Sequence, residues 1–294
     1  MLITVFTPTY NRAYIIGNLY QSLCNQNFND FEWLVVDDGS SDNTEQVIDA
    51  FSQEHKINIR YIKQLNGGKH RAINKGVREA NGELFFIVDS DDHLATNALQ
   101  LVAKHYASIK DTPGYVGVSG VRAYPDGLRI GGDLDFVTLD CNCLDLRYKY
   151  CIIGDMAEIY RTEVLKDYPF PEIEGEKFCT EALVWNRIAQ NYKLRYFNEK
   201  IYMCEYLADG LTRGFRKLNI NNPKGMMIYY GELAKMQVPL RHRVESIINY
   251  WRYSFFTDYR FSEKISNICF LSVCFAPIGY LLYRKDKNEI KKSN

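Results

Sequence analysis

Over roughly the first hundred residues, short apolar runs alternate with amphipathic segments, and this order constrains the fold more than any other feature. Leu2–Phe6 is apolar and runs into the turn Thr7-Pro8-Thr9-Tyr10-Asn11-Arg12. From Ala13 to about Cys24, residues Ile15, Ile16, Leu19, Tyr20 and Leu23 recur at helical spacing. Phe31–Val36 reads as a second strand, ending at Asp37-Asp38-Gly39, and Asp42-x-x-Glu45 reads as a capping box that opens a helix to about Phe51. Ile57–Ile62 is a third strand and Lys69–Ala80 a third helix. Asn81-Gly82 breaks that helix, and Leu84–Val88 is near-continuously apolar, as a strand buried on both faces must be.

This alternation predicts an α/β fold, a Rossmann-like and mostly parallel sheet with helices on both faces. Ligands of such sheets bind beyond the carboxyl ends of the strands. Three strand ends carry polar clusters, Thr7–Arg12, Asp37–Asp42 and Asp89–Asp92, so all three are expected on one rim. Further on, Tyr115–Val121, Gly154–Tyr160 and Tyr192–Tyr196 read as extended, Thr180–Gln190 as helical, and the chain from Pro223 as helical throughout. The expected division is an α/β domain over 1–221 and a helical region over 222–294.

Charge separates the same two parts. The chain is neutral as a whole, yet from Asn222 onward it carries 12 Lys and Arg against six Asp and Glu. A basic C-terminal region suits an anionic surface, although basic residues also simply solvate helices. Within it, Ile265–Tyr283 is 19 residues without a charge, followed by Arg284-Lys285. That length just spans a bilayer. Ser266, Asn267, Ser272, Pro277 and Gly279 argue instead for helices lying at the interface, in peripheral membrane contact, with an ordinary core helix as the alternative. Leu2–Thr7 is too short for a leader peptide. The eight cysteines form no C-x-x-C pair and are expected to be reduced, mostly buried thiols of a cytoplasmic protein at the inner face of the membrane. No nucleic-acid partner is expected.

Asp89-Ser90-Asp91-Asp92 is the most demanding segment. Close carboxylates repel one another unless a cation sits among them, and no basic residue neighbours these in sequence. Mg²⁺ commonly binds through one or two carboxylates plus substrate phosphates, so the segment fits a metal bridging to a diphosphate. Asp and Ser equally favour turns and helix N-caps, and the motif alone does not separate the two readings. No G-x-G-x-x-G follows the first strand and no G-x-x-x-x-G-K-[ST] occurs, which argues against a dinucleotide or P-loop site. Asp37 and Asp38 offer acceptors to a base and ribose, and Pro8, Tyr10 and Asn11 a stacking surface and hydrogen bonds.

Taken together, four segments resemble the family 2 glycosyltransferases of the GT-A fold. They are Thr7-Pro8-Thr9-Tyr10-Asn11-Arg12, Val35-Val36-Asp37-Asp38-Gly39-Ser40-Ser41-Asp42, Asn66-Gly67-Gly68-Lys69-His70-Arg71-Ala72-Ile73-Asn74-Lys75-Gly76, and Asp89-Ser90-Asp91-Asp92. Order and spacing agree over roughly residues 2–95, with looser similarity to about Leu211. The resemblance implies a UDP-sugar donor, Mg²⁺ or Mn²⁺, and inversion at the anomeric carbon, with a glycan or lipid-linked acceptor. It implies that Asp38 contacts the uracil, that Pro8, Tyr10 and Asn11 line the base pocket, and that Asp89 reaches the ribose side, with Thr7 and Ser90 completing the donor-binding residues. Asp91 then holds the metal, with Asp92 as a competing ligand, and Lys69 lies near the diphosphate. Lys69 is equally readable as an exposed first-turn lysine.

The family's catalytic base sits in an acidic pair at a helix start. Glu181 aligns with the first acid of that pair, but Ala182 replaces the second. Glu181 is the expected base, with Glu176 and Asp155 as alternatives, and a carboxylate at a helix start also suits the helix dipole. Two other activities compete. A sugar nucleotidyltransferase also uses strand-end acids and metal, but opens with a glycine-rich loop that Thr7–Arg12 lacks. A sugar-nucleotide-binding module without transferase activity would account for Ala182.

Overall fold

The computed structural model describes residues 1–204 and 214–293, and the end of the looser resemblance, up to Leu211, lies outside the described residues. The chain divides into two compact units. The first comprises Met1–Pro169 and the chain from Arg187 through the last strand; the second comprises Phe170–Asn186 and the helices that follow that strand.

The first unit is built on one nine-stranded sheet. Its strands are β1 (Ile3–Thr9), β2 (Phe31–Asp37), β3 (Ile59–Lys63), β4 (Leu84–Ile87), β5 (His93–Leu94), β6 (Tyr115–Ala123), β7 (Thr138–Cys141), β8 (Met156–Arg161) and β9 (Lys193–Met203). They lie in the order β3-β2-β1-β4-β8-β6-β9-β5, with β7 also pairing with β9. β3, β2, β1 and β4 are mutually parallel, as the alternation with helices predicts. The second half is mixed: β8 runs antiparallel to both β4 and β6, β9 parallel to β6, and β5 and β7 antiparallel to β9. The sheet is thus less parallel than its first hundred residues imply.

Every residue of β1, β2 and β4 is buried. Helices α1 (Ile16–Cys24), α2 (Thr44–Gln53) and α4 (Ala98–Ala107) cover one face. There Ile16, Leu19, Tyr20, Ile48, Leu99 and Val102 cluster with Val5, Trp33, Val35 and Phe86. The expected capping box at Asp42 is absent in that form. Asn43 precedes α2 without a side-chain cap, while the Asp42 carboxylate accepts from the backbone N of Thr44 at 3.1 Å and of Ala13 at 3.1 Å. Asp42 therefore ties the start of α2 to the turn after β1.

Helix α3 (Lys69–Glu79) crosses the other face, over Phe6. Its approach requires Gly76, where a Cβ would come within 2.2 Å of the buried Phe6 ring. Gly76→Ala gains about 1 kcal/mol in helix propensity. Overpacking against a fixed ring costs about 1–3 kcal/mol and outweighs it. We expect this variant to lower the urea midpoint of the first unit, and a raised midpoint would show that the helix stands off the sheet.

The second unit is helical. It holds most of α7 (Glu181–Ile188), whose last two residues fall in the first unit, and α8 (Phe215–Asn221), α9 (Pro223–Leu233), α10 (Leu240–Ser254), α11 (Phe261–Ser266) and α12 (Ala276–Ser293), while α5 (Cys143–Tyr148) and α6 (Thr162–Asp167) belong to the first unit. Its core gathers Met226, Met227, Tyr250, Trp251 and Tyr253. The uncharged run Ile265–Tyr283 is not one helix: it passes from α11 through a short 3₁₀ segment, Phe270–Phe275, into α12. Among the described residues no helix is long and apolar enough to cross a membrane. All eight cysteines are unbridged, but they are not mostly buried: Cys141, Cys179 and Cys204 are, whereas Cys151, Cys269 and Cys274 are exposed.

Candidate functional site

Backbone pairing of β1 with its neighbours sets the rim. Thr9 lies opposite Asp37 on β2, and Phe6 opposite Ile87 on β4. The three polar clusters therefore leave one edge of the sheet together. The first two are sewn to each other. The Asp38 N–H donates to the Thr9 carbonyl at 2.9 Å. Asn11 takes the left-handed conformation, φ 53°, which Asn tolerates better than most residues. In that pose its backbone N–H donates to Ser40 Oγ at 2.8 Å and its side-chain oxygen accepts from the Ser41 N–H at 2.8 Å.

Asp38 organises the third segment. Its buried carboxylate accepts from Gln64 Nε2 at 2.8 Å, Asn66 Nδ2 at 3.2 Å, Gly67 N at 2.8 Å and Gly68 N at 2.7 Å. Gly68, at φ 99°, then turns the chain into α3 and sets Lys69 in its first turn. Lys69 Nζ reaches Asp89 Oδ1 at 2.6 Å. The family resemblance implies that Asp38 reads a base; in the structure the same carboxylate shapes the loop before α3.

The acid cluster has basic partners after all. Burial disfavours the Asp89 anion, yet the charges of Lys69 and Arg122 outweigh it and hold this carboxyl below its ordinary range. Arg122, on β6, lies with its guanidinium 4.3 Å from the centre of the Tyr202 ring, and the Tyr202 hydroxyl accepts from the Asp89 N–H at 2.9 Å. Asp91 moves the other way. Burial and the neighbouring Asp89 charge raise its pKa, against a partial pull from Arg12, whose Nη2 stands 4.0 Å from Oδ2. These cations come from α3, β6 and the turn after β1, so adjacency in sequence could not reveal them.

Among the described residues, no three carboxylate, imidazole or thiol groups converge as a ready-made metal cage. The residues nonetheless fit an open divalent site. One carboxylate, Asp91, together with donor phosphate oxygens, is a set that Mg²⁺ accepts. The unfavourable burial of the Asp91 anion beside Asp89 is what a cation would relieve. Asp92 is buried, its backbone N–H closing the turn onto the Asp89 carbonyl at 3.1 Å, and is the less accessible acid.

Not every expected ligand reaches the rim. Thr7 is fully buried, its hydroxyl accepting from Trp33 Nε1 at 2.9 Å, and Pro8 is buried beside it. Both lie below the rim because strand β1 extends to Thr9. The hydroxyl that does sit at the strand end belongs to Thr9, which the sequence reading passed over; it is buried with no hydrogen-bond partner. Tyr10 is exposed, leaving its ring free to stack, and Ser90 is buried within the acidic turn.

Of the candidate bases, Glu181 opens α7 in the second unit. Glu176 is committed elsewhere: its two oxygens accept from the backbone N of Lys224 at 2.7 Å and Gly225 at 2.8 Å, capping α9. Asp155 is exposed just before β8. Sequence reasoning missed Glu158, on β8 in the first unit. Burial raises it to about 7, against the pull of Arg122 and Arg147. No periodicity or motif marks it, because its character comes entirely from its surroundings.

Two expectations follow. Asp38→Ala leaves the N–H groups of Gly67 and Gly68 without an acceptor, a loss of about 1–3 kcal/mol in stability. Because the same loop sets Lys69, binding of UDP and of inorganic diphosphate should both weaken in calorimetry; a loss confined to UDP would restore a purely base-reading role. The folded protein holds the Glu158 proton between its ordinary pKa of 4.5 and about 7, so ionising it costs stability as pH rises through that window. Glu158→Gln should therefore raise the thermal midpoint at pH 8 by roughly 2–4 °C and leave it unchanged at pH 4. Equal shifts at both pH values would place Glu158 in an ordinary environment.

A mixed sheet with acids gathered at the ends of its parallel strands points to a class, and comparison with known proteins identifies the family. Residues 4–131 match the model described as glycosyl transferase family 2. A Campylobacter jejuni relative, GalNAc(5)-diNAcBac-PP-undecaprenol beta-1,3-glucosyltransferase, is 32% identical over 244 residues, covering 80% of this chain and 73% of its own length. The crystal structure of Staphylococcus aureus TarS 1-349 in complex with UDP-GlcNAc superposes with a TM-score of 0.65 at 19% identity, over 100% of this chain and 93% of that one. A mannosyltransferase from Pyrobaculum calidifontis, in complex with GDP-Man and Mn²⁺, gives a TM-score of 0.58 at 18% identity, over 96% and 82%. The chain belongs to the family 2 glycosyltransferases and has the GT-A fold. It spans 36% and 34% of the length of the first curated relatives it matches, so family membership concerns the region that aligns.

Proposed function

We propose that the chain transfers a sugar from a nucleoside diphosphate donor, a UDP-sugar, to a hydroxyl of a glycan or lipid-linked acceptor, with inversion at the anomeric carbon. The observation that carries this reading is the arrangement at the rim. Tyr10 offers an exposed ring, Lys69 stands in the first turn of α3, and the Asp89–Asp91 pair lies beneath them. A helix N-terminus with a lysine suits a phosphate.

Lys69 and Arg12 bear on the acids through charge, and both are able to turn towards donor phosphates when these arrive. Asp91, with Asp92 behind it, is the protein's contribution to a Mg²⁺ or Mn²⁺ site. A divalent cation held there would supply charge neutralisation for the departing diphosphate. In the reaction the acceptor oxygen attacks C1 as its proton passes to a carboxylate, and the bond from C1 to the diphosphate oxygen breaks, releasing UDP. Glu181 is the proposed base on its motif position. Glu158 and Asp155 are the alternatives in the unit that carries the donor residues. The first unit is the proposed donor-binding part of the 1–221 domain, with 222–294 as an accessory region.

Ala182, in place of the family's second acid, favours one other reading, a module that binds the sugar nucleotide without transferring it. Asp91→Asn should abolish metal-dependent UDP binding in calorimetry, and unchanged affinity would remove Asp91 from the metal site. Glu181→Gln should leave donor affinity intact while UDP release over a panel of nucleotide sugars falls by about 10²–10⁴. Retained turnover would move the base to Glu158 or Asp155, tested as Glu158→Gln and Asp155→Asn. A wild-type protein that binds UDP-sugars and releases none would establish the binding module.

A further inference from the structure

The end of the second unit carries apolar residues on its outer side as well as its inner one. From the 3₁₀ segment Phe270–Phe275 into α12, the face turned to the rest of the unit mixes small and polar residues with the apolar Val273, Phe275, Ala276 and Ile290. Ser272 accepts from Trp251 Nε1 at 3.1 Å. Gly279 lies so close to α10 that a Cβ would meet Trp251 Cβ at 2.7 Å and the Arg252 backbone N at 2.8 Å. Asp286, buried, accepts from Arg252 Nε at 2.5 Å and Nη2 at 2.8 Å. Tyr283 adds its ring beside Phe255 and Phe256.

The outward face is the apolar one. Leu271, Cys274, Ile278 and Leu281 follow at spacings of three, four and three residues, which keeps them on one side of a helical rod. Leu271 is 79% exposed, Leu281 68% and Ile278 46%, with Phe270 beside them at 71%. The same line continues to Lys285, flanked by Arg284 and Lys287, all exposed. The acids of this stretch do not offset those cations outwards. Asp286 is held by Arg252 and Arg216, and Glu289 pairs with Arg216. Exposed apolar residues gathered in this way mark an interaction surface.

We propose that this face docks on an anionic lipid bilayer, Phe270, Leu271, Ile278 and Leu281 entering the boundary between headgroups and acyl chains while Arg284, Lys285 and Lys287 lie among acidic headgroups. An apolar line that grades into cations suits such an interface. It suits a second copy of the chain poorly. Antiparallel pairing would bury lysines against leucines, and parallel pairing would bring like charges together. The docking lies parallel to the surface, since no described helix is long and apolar enough to cross a membrane.

The inference goes beyond the proposed function and is independent of its chemistry, because the test needs no sugar donor. The full chain is co-sedimented with vesicles of phosphatidylcholine alone or mixed with phosphatidylglycerol, at low and high salt. We expect binding to the mixed vesicles, weakened by salt. Leu271→Glu with Leu281→Glu should lower it at least tenfold, and Lys285→Glu should lower it about fivefold or more. All of these side chains are exposed, and an unchanged thermal midpoint checks that the variants fold. Equal binding by wild type and variants would overturn the proposal. So would a concentration-dependent dimer, abolished by the leucine changes, in a protein that ignores both kinds of vesicle.

Discussion

Parallel pairing of β1 with β2 on one side and β4 on the other is the constraint on which the rest of the first unit depends. Backbone hydrogen bonds fix which residues lie level with one another. Every residue of these strands is buried, so a slip of one position would turn polar groups into both hydrophobic layers. Polar side chains are admitted freely where the strands end, and there Thr9, Asp37, Asp38 and Asp89 gather. The site is in this sense a product of the sheet's register. Its tight approach to α3 through Gly76 fixes in turn the helix that carries Lys69.

Charge at the rim is balanced without being neutralised uniformly. Asp89 sits under Lys69 and Arg122 and is held as an anion, while Asp91, a short step away, bears the cost of burial beside it. Two adjacent acids with opposite shifts suit different tasks, one keeping basic residues in place and the other awaiting a cation. The ion pair between Lys69 and Asp89 links the helix start to the acidic turn, and Asp38 builds the loop between them. A change at any of these three residues is therefore felt at the other two.

The second unit follows a different logic. Its helices pack through aromatic rings and the buried Asp286, held by Arg216 and Arg252, and α12 and the 3₁₀ segment before it turn Gly279, Asp286 and Ser272 inward. What remains for the outside is apolar and basic. Ordinary solvated helices leave no such apolar line on the outside, and this line distinguishes the C-terminal region from a mere extension of the core.

How much was legible in the sequence depended on distance along the chain. Period and turn chemistry determined the first four strands, their helices and the rim of three polar clusters, because strand burial and turn chemistry are local properties, and the ordered motifs carried the family resemblance. The mixed half of the sheet was not legible, since β8 enters between β4 and β6 from far along the chain. Nor were the partners of the acids: Lys69, Arg12 and Arg122 meet Asp89 and Asp91 across the fold, and Glu158 owes its raised pKa chiefly to burial, against opposing arginines. Thr7 and Thr9 show the finest grain of this limit. Both are threonines of one turn motif, but the end of β1 decides which is buried beneath Trp33 and which lies at the rim. Sequence determined what kinds of groups the site contains; tertiary structure decided which of them face one another, because burial and charge pairing act between residues that only folding brings together.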